Sequence, residues 1–450
     1  MDRIKQEWAK IAKSDLARNA GWLFFGRGLS VALQGVYLVM VGRLLGSSEY
    51  GIYVGALAMV TILSQYSSLG TPELFFRYVG VDPKKFSVYW GMVLSITFAL
   101  GTIFVGIMAV FGPHFAPNIS RTMLICVAIG ECLGTQLAAS TARIFLAFEK
   151  VRYTVITSLL VNLVRTILAG FMLWRWHHGT AQQWAVAALI VSSVASIYSV
   201  WLVTKLYGKP VFSASLVRQR VGEGLVFALS NSTANAYNDI DKAMLGHYGM
   251  DAANGIYTMA YRVIDVCTAP ITSVHAAAFP RFFRKGLGGV RSTAAYGLQL
   301  VKRTAPLALL FTVAMLIGGP ILPHLVGKDF AESVIALRWL CLLPLFRSLQ
   351  LAAGDGITGA GHQKLRLCGM AGAAAFNFGV NLYLIPHYSW RGAAWSSIAT
   401  DGLLALFNWL LLGWLVARDD RQRKRVASVG LAGTLNSKPI EAVEAESQVN

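Results

Sequence analysis

Six basic side chains, Arg27, Arg165, Lys242, Arg262, Arg338 and Arg347, stand inside stretches that otherwise read as apolar. An arginine at the centre of a membrane-spanning helix costs about 2.5–3.5 kcal/mol even on the lenient insertion scale, so such residues need a partner, a hydrated path or a ligand. Lys242 and Arg338 fall within about two turns of a predicted helix end, where a long side chain reaches the interface by snorkelling. Arg27, Arg165, Arg262 and Arg347 lie deeper. Acids share these stretches: Glu131, Asp239, Asp241, Asp265 and Asp401, with Asp355 in a glycine-rich segment. Arg262 and Asp265 are three residues apart on one helix face, where they can neutralise each other. For any single arginine an ion pair is as good an account as a substrate-lining role; four together favour a lined path. Guanidinium forks match phosphate oxygens with paired hydrogen bonds, so such a path suits an anion. Asp239, Asp265, Glu131 and Asp401 are candidate proton or sodium sites, and each is equally a partner for Arg or Lys.

Helical spacing groups these residues. Arg27, Ser30 and Gln34 share a face, as do Ser158, Asn162 and Arg165, and Thr258, Arg262 and Asp265. Asn231, Asn235, Asn238 and Lys242 form another stripe, with shorter ones at Thr61, Gln65 and Ser68 and at Asn377 and Asn381. Polar stripes on apolar helices face one another or water, not lipid. Tyr37, Tyr53, Tyr66, Tyr257 and Tyr261 could stack on sugars, but aromatic belts at the membrane interface account for most such residues. Cys126, Cys132, Cys267, Cys341 and Cys368 are scattered through apolar stretches without metal-like spacing, so neither disulfides nor zinc are expected. His177 and His178 are adjacent and would point about 100° apart on a helix. Ser-His-Asp sets and nucleotide loops are missing from the pattern, so no catalytic residue, cofactor or enzyme activity is expected.

The elements that must carry these residues follow from composition. Hydrophobic residues make up 55% of the 450-residue chain and charged residues 14%, which makes the bilayer the natural solvent. A membrane-spanning helix needs roughly 20 apolar residues. Such windows run from residues 19 to 43, 50 to 69, 86 to 111, 121 to 147, 153 to 174, 183 to 204, 222 to 245, 253 to 279, 304 to 321, 332 to 353, 365 to 385 and 392 to 416. Each is predicted to be a helix, because a backbone in lipid must satisfy its own hydrogen bonds. The fourth is long enough to be tilted or broken. The net charge of +18 does not point to nucleic acid, because alternate connections with the two ends hold 29 Lys and Arg while the others hold five. That alternation places both ends in the cytoplasm. Residues 1–18 read as a basic interfacial helix, 206–221 as a cytoplasmic linker and 418–450 as a disordered cytoplasmic tail.

The chain also repeats itself. Leu45-Gly46 precedes Gly51-Ile52-Tyr53 as Leu245-Gly246 precedes Gly255-Ile256-Tyr257, and the same offset sets Arg77 on Arg281. Gln136-Leu137-Ala138-Ala139 matches Gln350-Leu351-Ala352-Ala353, with Lys150 on Lys364 and Arg152 on Arg366. The copies are six windows apart, an even number, so they run parallel. The expected fold is therefore an all-α polytopic membrane protein with about twelve transmembrane helices, built as two parallel six-helix bundles, 19–205 and 222–417, around a central cavity.

RLLGSSEYGIY at 43–53, SSLGTPELFFRYV at 67–79, and NDIDKAMLGHYG with GIYTMAYRV at 238–263 resemble the polysaccharide transporter, or O-antigen flippase, family of the multidrug, oligosaccharidyl-lipid and polysaccharide exporters. The resemblance implies alternating access and a substrate, an oligosaccharide on undecaprenyl pyrophosphate, turned from the cytoplasmic to the periplasmic leaflet of a bacterial inner membrane. It implies a cavity lined by helices one, two, seven and eight, which makes Arg27 and Arg262 the best candidates for the pyrophosphate, with Gln34, Asn231, Asn235, Arg165 and Arg347 beside them. Polysaccharide polymerase and chain-length proteins would be its partners. The competing reading is a cation-coupled multidrug exporter on the same fold, which would be expected to carry an acid on the first helix, where this chain has Arg27.

Overall fold

The computed structural model describes residues 2–436; within it, the side chains of 2–20, 23, 24, 27, 230, 234–236 and 422–436 lie outside the description. The elements are α1 (Asp2–Ser67), α2 (Thr71–Val79), α3 (Phe86–Phe115), α4 (Arg121–Ile129), a π segment (Gly130–Thr135), α5 (Gln136–Ala147), α6 (Val151–Trp176), α7 (Ala181–Tyr207) and α8 (Ala214–His247). They continue as α9 (Asp251–Gly286), α10 (Val290–Gly318), α11 (Leu322–Val326), α12 (Ser333–Leu340), α13 (Leu343–Gly359), α14 (Gln363–Tyr388) and α15 (Trp390–Asn436). Short 3₁₀ turns precede α3, α11 and α12, and no strand occurs among the described residues. All twelve apolar windows fall mainly on helix, with the tenth broken by a turn at 341–342.

Local signals explain the breaks between helices. Ser120 and Ser213 accept hydrogen bonds from the amides of Met123 and Leu216, and Thr180 with Gln183 forms a reciprocal capping box. Pro72 occupies the first turn of α2, where a missing N–H does no harm. Within α1 the helix breaks at Gly46 (φ 68, ψ 177), a left-handed backbone that glycine adopts without strain.

Nine described helical stretches are long and apolar enough to cross a membrane, or ten if the bent pair Lys328–Leu340 and Leu343–Gly359 makes one span. The chain is thus an all-α, multi-pass membrane protein. The sequence predicts about twelve spans, and two features account for the difference. The first two windows join into one 40-residue stretch, Gly28–Ser67, despite the break at Gly46. The seventh window, on α8, is not among the nine: it carries Asp239, Asp241 and Lys242 beside three asparagines. A second difference concerns the tail. Helix α15 continues to Asn436, so residues 418–436, expected to be disordered, are helical, while 437–450 lie outside the described residues. Charged helix formers added to an existing helix need no new nucleus.

Two compact units divide the chain. The first comprises Met1–Ala269, Leu309–Pro344 and Met370–Thr400; the second comprises Pro270–Ala308, Leu345–Gly369 and Asp401–Asn450. Core residues of the first include Val41, Leu44, Tyr50, Trp184, Met259 and Phe330. The second buries Phe282 with Leu300, and Ile357 with Leu412 and Leu415. Large apolar side chains such as Trp174 (74% exposed) and Ile197 (69%) point outward, as a lipid-facing surface requires.

The repeated glycines have a physical role in the first unit. A Cβ on Gly51 would lie 1.7 Å from the Asp251 carbonyl oxygen, and one on Gly255 would lie 1.9 Å from that of Ser47. One turn away, Cβ atoms on Gly55 and Gly246 would come within 3.1 and 3.0 Å of each other's Cα. The two repeat copies therefore touch backbone to backbone, and Asn254 Nδ2 seals the crossing by donating to the carbonyls of Gly51 (3.2 Å) and Lys242 (3.0 Å). Small residues allow this approach in membranes, where close packing replaces hydrophobic drive. Gly255→Ala is expected to destabilise the protein by about 3 kcal/mol, the upper range for overpacking. Gly106→Ala and Gly372→Ala, where an added Cβ meets nothing within 4 Å, should leave stability unchanged or raise it slightly. Thermal unfolding in one detergent compares the three; equal melting of all of them would remove the crossing as a constraint.

Candidate functional site

In the first unit two cavities, of about 390 and 280 Å³, share Val54, Leu57, Glu131, Arg165 and Arg262 in their walls. The larger adds Thr61 and Ser192 with Asp239 and Lys242; the smaller adds Gln34, Tyr37, Tyr50, Tyr53, Asn162 and Asp265. Seven segments contribute: α1, the π segment, α5, α6, α7, α8 and α9.

Glu131 comes from the π segment, which interrupts what would otherwise be one helix from Arg121 to Ala147. Single π turns are uncommon and collect at functional sites, because the inserted residue turns its side chain out of register. Neighbours support this one. Ser67 Oγ donates to the Cys132 carbonyl at 2.8 Å, and Gly134 leaves room for Ser192, whose Oγ would stand 3.0 Å from an added Cβ.

Arg165 reaches the cavities from α6, and its Nε is buried without a hydrogen-bond partner among the described residues. Arg262, on α9, lies 4.0 Å from Asp265 one turn on, at the limit of an ion pair. Its side chain keeps 46% of its surface accessible although it lines an interior space, so that surface belongs to the cavity. Among the described residues, neither guanidinium is held in a paired hydrogen bond to a carboxylate of the kind that would use up its donors.

Lys242 is the residue that helical spacing misplaces. It does not snorkel: its side chain is 8% exposed, with Nζ 2.9 Å from Asp239 and 3.8 Å from Asp241, and 4.8 Å from the centre of the Tyr261 ring. Nζ also donates to the Asn238 carbonyl. Asp241 in turn accepts from the hydroxyls of Tyr257 and of Ser397 (3.2 Å), which are 2.8 Å apart. The ammonium is thus neutralised twice over within its own helix. The sequence did contain the signal, two acids within three residues of a lysine in an apolar window, but a position near a helix end pointed to the interface. Tyr37, Tyr50 and Tyr53 also line the smaller cavity, which an interfacial aromatic belt does not require.

The remaining predicted residues lie elsewhere. Arg347 and Asp401 sit 3.8 Å apart in the second unit, with Asp401 buried. Asn231 donates to Glu73 at 3.3 Å, and the same carboxylate oxygen lies 3.4 Å from Arg143. Neither group lines the two cavities. The side chains of Arg27 and Asn235 lie outside the described ones.

Solved structures share this fold. An inward-facing multidrug resistance MATE family transporter of the MOP superfamily matches with a TM-score of 0.67 at 17% identity, over 88% of this chain and 96% of that one. The lipid II flippase MurJ, in an inward closed conformation, matches with a TM-score of 0.69 at 15% identity, over 88% and 90%. An outward-facing MATE transporter matches with a TM-score of 0.58 at 16% identity, over 89% and 96%. No curated protein matches the chain. The family model described as polysaccharide biosynthesis protein covers residues 16–285, more than half of the sequence, and the chain belongs to that family.

Proposed function

We propose that this protein is a flippase that moves an oligosaccharide linked to undecaprenyl pyrophosphate from the cytoplasmic to the periplasmic leaflet of a bacterial inner membrane, by alternating access, for surface polysaccharide synthesis. The carrying observation is the pair Arg165 and Arg262 on shared cavity walls, one with an unpartnered buried Nε and the other only loosely paired. Two guanidinium groups with donors to spare suit a diphosphate, whose oxygens accept in pairs. The tyrosines and Gln34 of the smaller cavity offer stacking faces and an amide for sugar. Membership of the polysaccharide biosynthesis family, and the likeness to a lipid II flippase, support a lipid-linked substrate.

On this reading the sequence halves 19–205 and 222–417 are the two bundles that rock against each other, and both chain ends face the cytoplasm. Binding and release need no covalent chemistry, so no catalytic residue is assigned. Polymerase and chain-length proteins would take the product on the far side.

A cation-coupled multidrug exporter is the second reading. It is favoured by the MATE structures and by two acids, Glu131 and Asp239, in the same cavity wall as the arginines. Asp239 is engaged by Lys242, which leaves Glu131 as the better candidate for a coupling proton or sodium ion on either reading.

Two experiments test these assignments. In cells deleted for the gene, the lipid-linked precursor should accumulate in the cytoplasmic leaflet. Arg165→Ala or Arg262→Ala should restore transport about tenfold to a hundredfold less well than wild type, the scale of a lost charge-assisted contact, with Lys variants in between. Equal complementation by the Ala variants would remove that arginine from the site, and drug resistance on overexpression without precursor accumulation on deletion would favour the exporter. In proteoliposomes, an imposed pH or sodium gradient should drive flux in wild type, and Glu131→Gln should flatten that response. Flux indifferent to both gradients would sink ion coupling.

A further inference from the structure

In the second unit a cavity of about 340 Å³ is lined by Arg281, Arg284 and Lys285 from the end of α9 and by Tyr296, Gln299 and Arg303 from α10. The spacing is that of two helix faces meeting: positions i, i+3 and i+4 on one, and i, i+3 and i+7 on the other. Phe282, buried with Leu300 and packed edge-on to Tyr296 with ring centroids 4.8 Å apart, holds the two helices together beside it. The walls carry four cations and no acid. Among the described residues none of the four makes an ion pair, whereas Arg291, the next basic residue along, is 3.7 Å from Asp420.

The other copy of the repeat shows that this is not the inevitable state of a basic connection. Arg77, which the repeat sets on Arg281, lies 2.5 Å from Glu223, and Arg220 lies 3.4 Å from the same carboxylate. There the charge is compensated within the protein; between α9 and α10 it is not. Four like charges around one small cavity repel one another, and an anion entering it relieves that repulsion while gaining charge-assisted hydrogen bonds. Exposed apolar side chains, Phe283 (48%), Leu287 (91%) and Leu298 (52%), flank the basic faces, so an acyl chain could lie beside a bound phosphate.

We propose that this cavity is a binding site for a phosphate-bearing ligand, an anionic phospholipid headgroup or a soluble diphosphate, separate from the transport cavities. The proposal does not depend on the transported substrate or on which side of the membrane the α9–α10 connection faces.

The test uses the full-length protein in phosphatidylcholine nanodiscs, titrated with inorganic pyrophosphate by calorimetry, and in detergent with phosphatidylglycerol, followed by native mass spectrometry. Arg281→Gln/Arg284→Gln/Arg303→Gln is compared with a control of equal charge change, Lys84→Gln/Lys85→Gln/Lys150→Gln. The control should bind like wild type, and the pocket variant should lose at least about tenfold, the scale of one charged hydrogen bond. Loss in the lipid arm alone identifies a headgroup, loss in the pyrophosphate arm alone a soluble phosphate, and loss in both a site open to either. Should the triple variant fail to fold, Arg281→Gln and Arg303→Gln, each at an exposed side chain, are measured singly, with the same loss expected. Wild type that binds neither probe, or equal loss in pocket variant and control, overturns the proposal.

Discussion

The backbone contact between Gly51 and Gly255 constrains the first unit, because it leaves no room for a side chain on either helix of the crossing. From it the neighbouring residues are positioned by helical geometry alone. Tyr53, Val54 and Leu57 follow Gly51 by two, three and six residues, and Arg262 follows Gly255 by seven, two turns on. All of them line the cavities. A rigid crossing near one end of two helices thus sets where their cavity-facing side chains meet. Asn254 ties the crossing to α8 through the Lys242 carbonyl, which joins the third helix to the same frame.

Charge inside an apolar protein is then handled in two ways. Lys242 carries a compact charge, and Asp239 and Asp241 from the same helix absorb it, with Tyr257 and Ser397 satisfying the far side of Asp241. Burying a charged group without such partners is expensive, and the surrounding hydroxyls are what make the group tolerable. The arginines are handled differently. Arg262 is within reach of Asp265 but not clasped by it, and among the described residues the Nε of Arg165 has no acceptor. Both face open cavity volume, with Glu131 and Asp265 in the same walls.

Much of this was legible in the sequence, for identifiable reasons. The helices could be read because each apolar window is long, and the repeat because its glycines are needed by packing. Arg165, Arg262, Glu131, Asp239 and Asp265 could be nominated because charge in an apolar window demands an account, and Gln34 because it shares a polar stripe. What sequence spacing could not show is which helices face one another. It grouped Arg347 with the other deep arginines, although Asp401, more than fifty residues on, stands beside it. It put Asn231 in the site, where Glu73 takes its amide. It points Lys242 to the interface, because closeness to a helix end suits snorkelling, whereas the two acids beside it hold the ammonium inside. The helical run past residue 417 escaped for another reason: composition reports the stability of a segment alone, and this segment extends a helix already formed.

The π segment shows how these threads meet at one residue. A regular helix from Arg121 to Ala147 would leave the residues after Ile129 in a different register, and Glu131 owes its place in the cavity wall to the interruption. A π turn leaves carbonyls poorly matched to amides, so it persists only where other groups take up the slack. Ser67 does so at Cys132, from the end of α1, the same helix that carries Gly51. The acid that both cavities share with Arg165 and Arg262 therefore sits in a turn braced at Cys132 by a hydrogen bond from α1, the helix that crosses α9. A movement of α1 relative to α9 would act on both walls at once, and the separation of Glu131 from Arg165 and Arg262 would change with it. That coupling of wall geometry to charge balance is what the proposed alternating access would require.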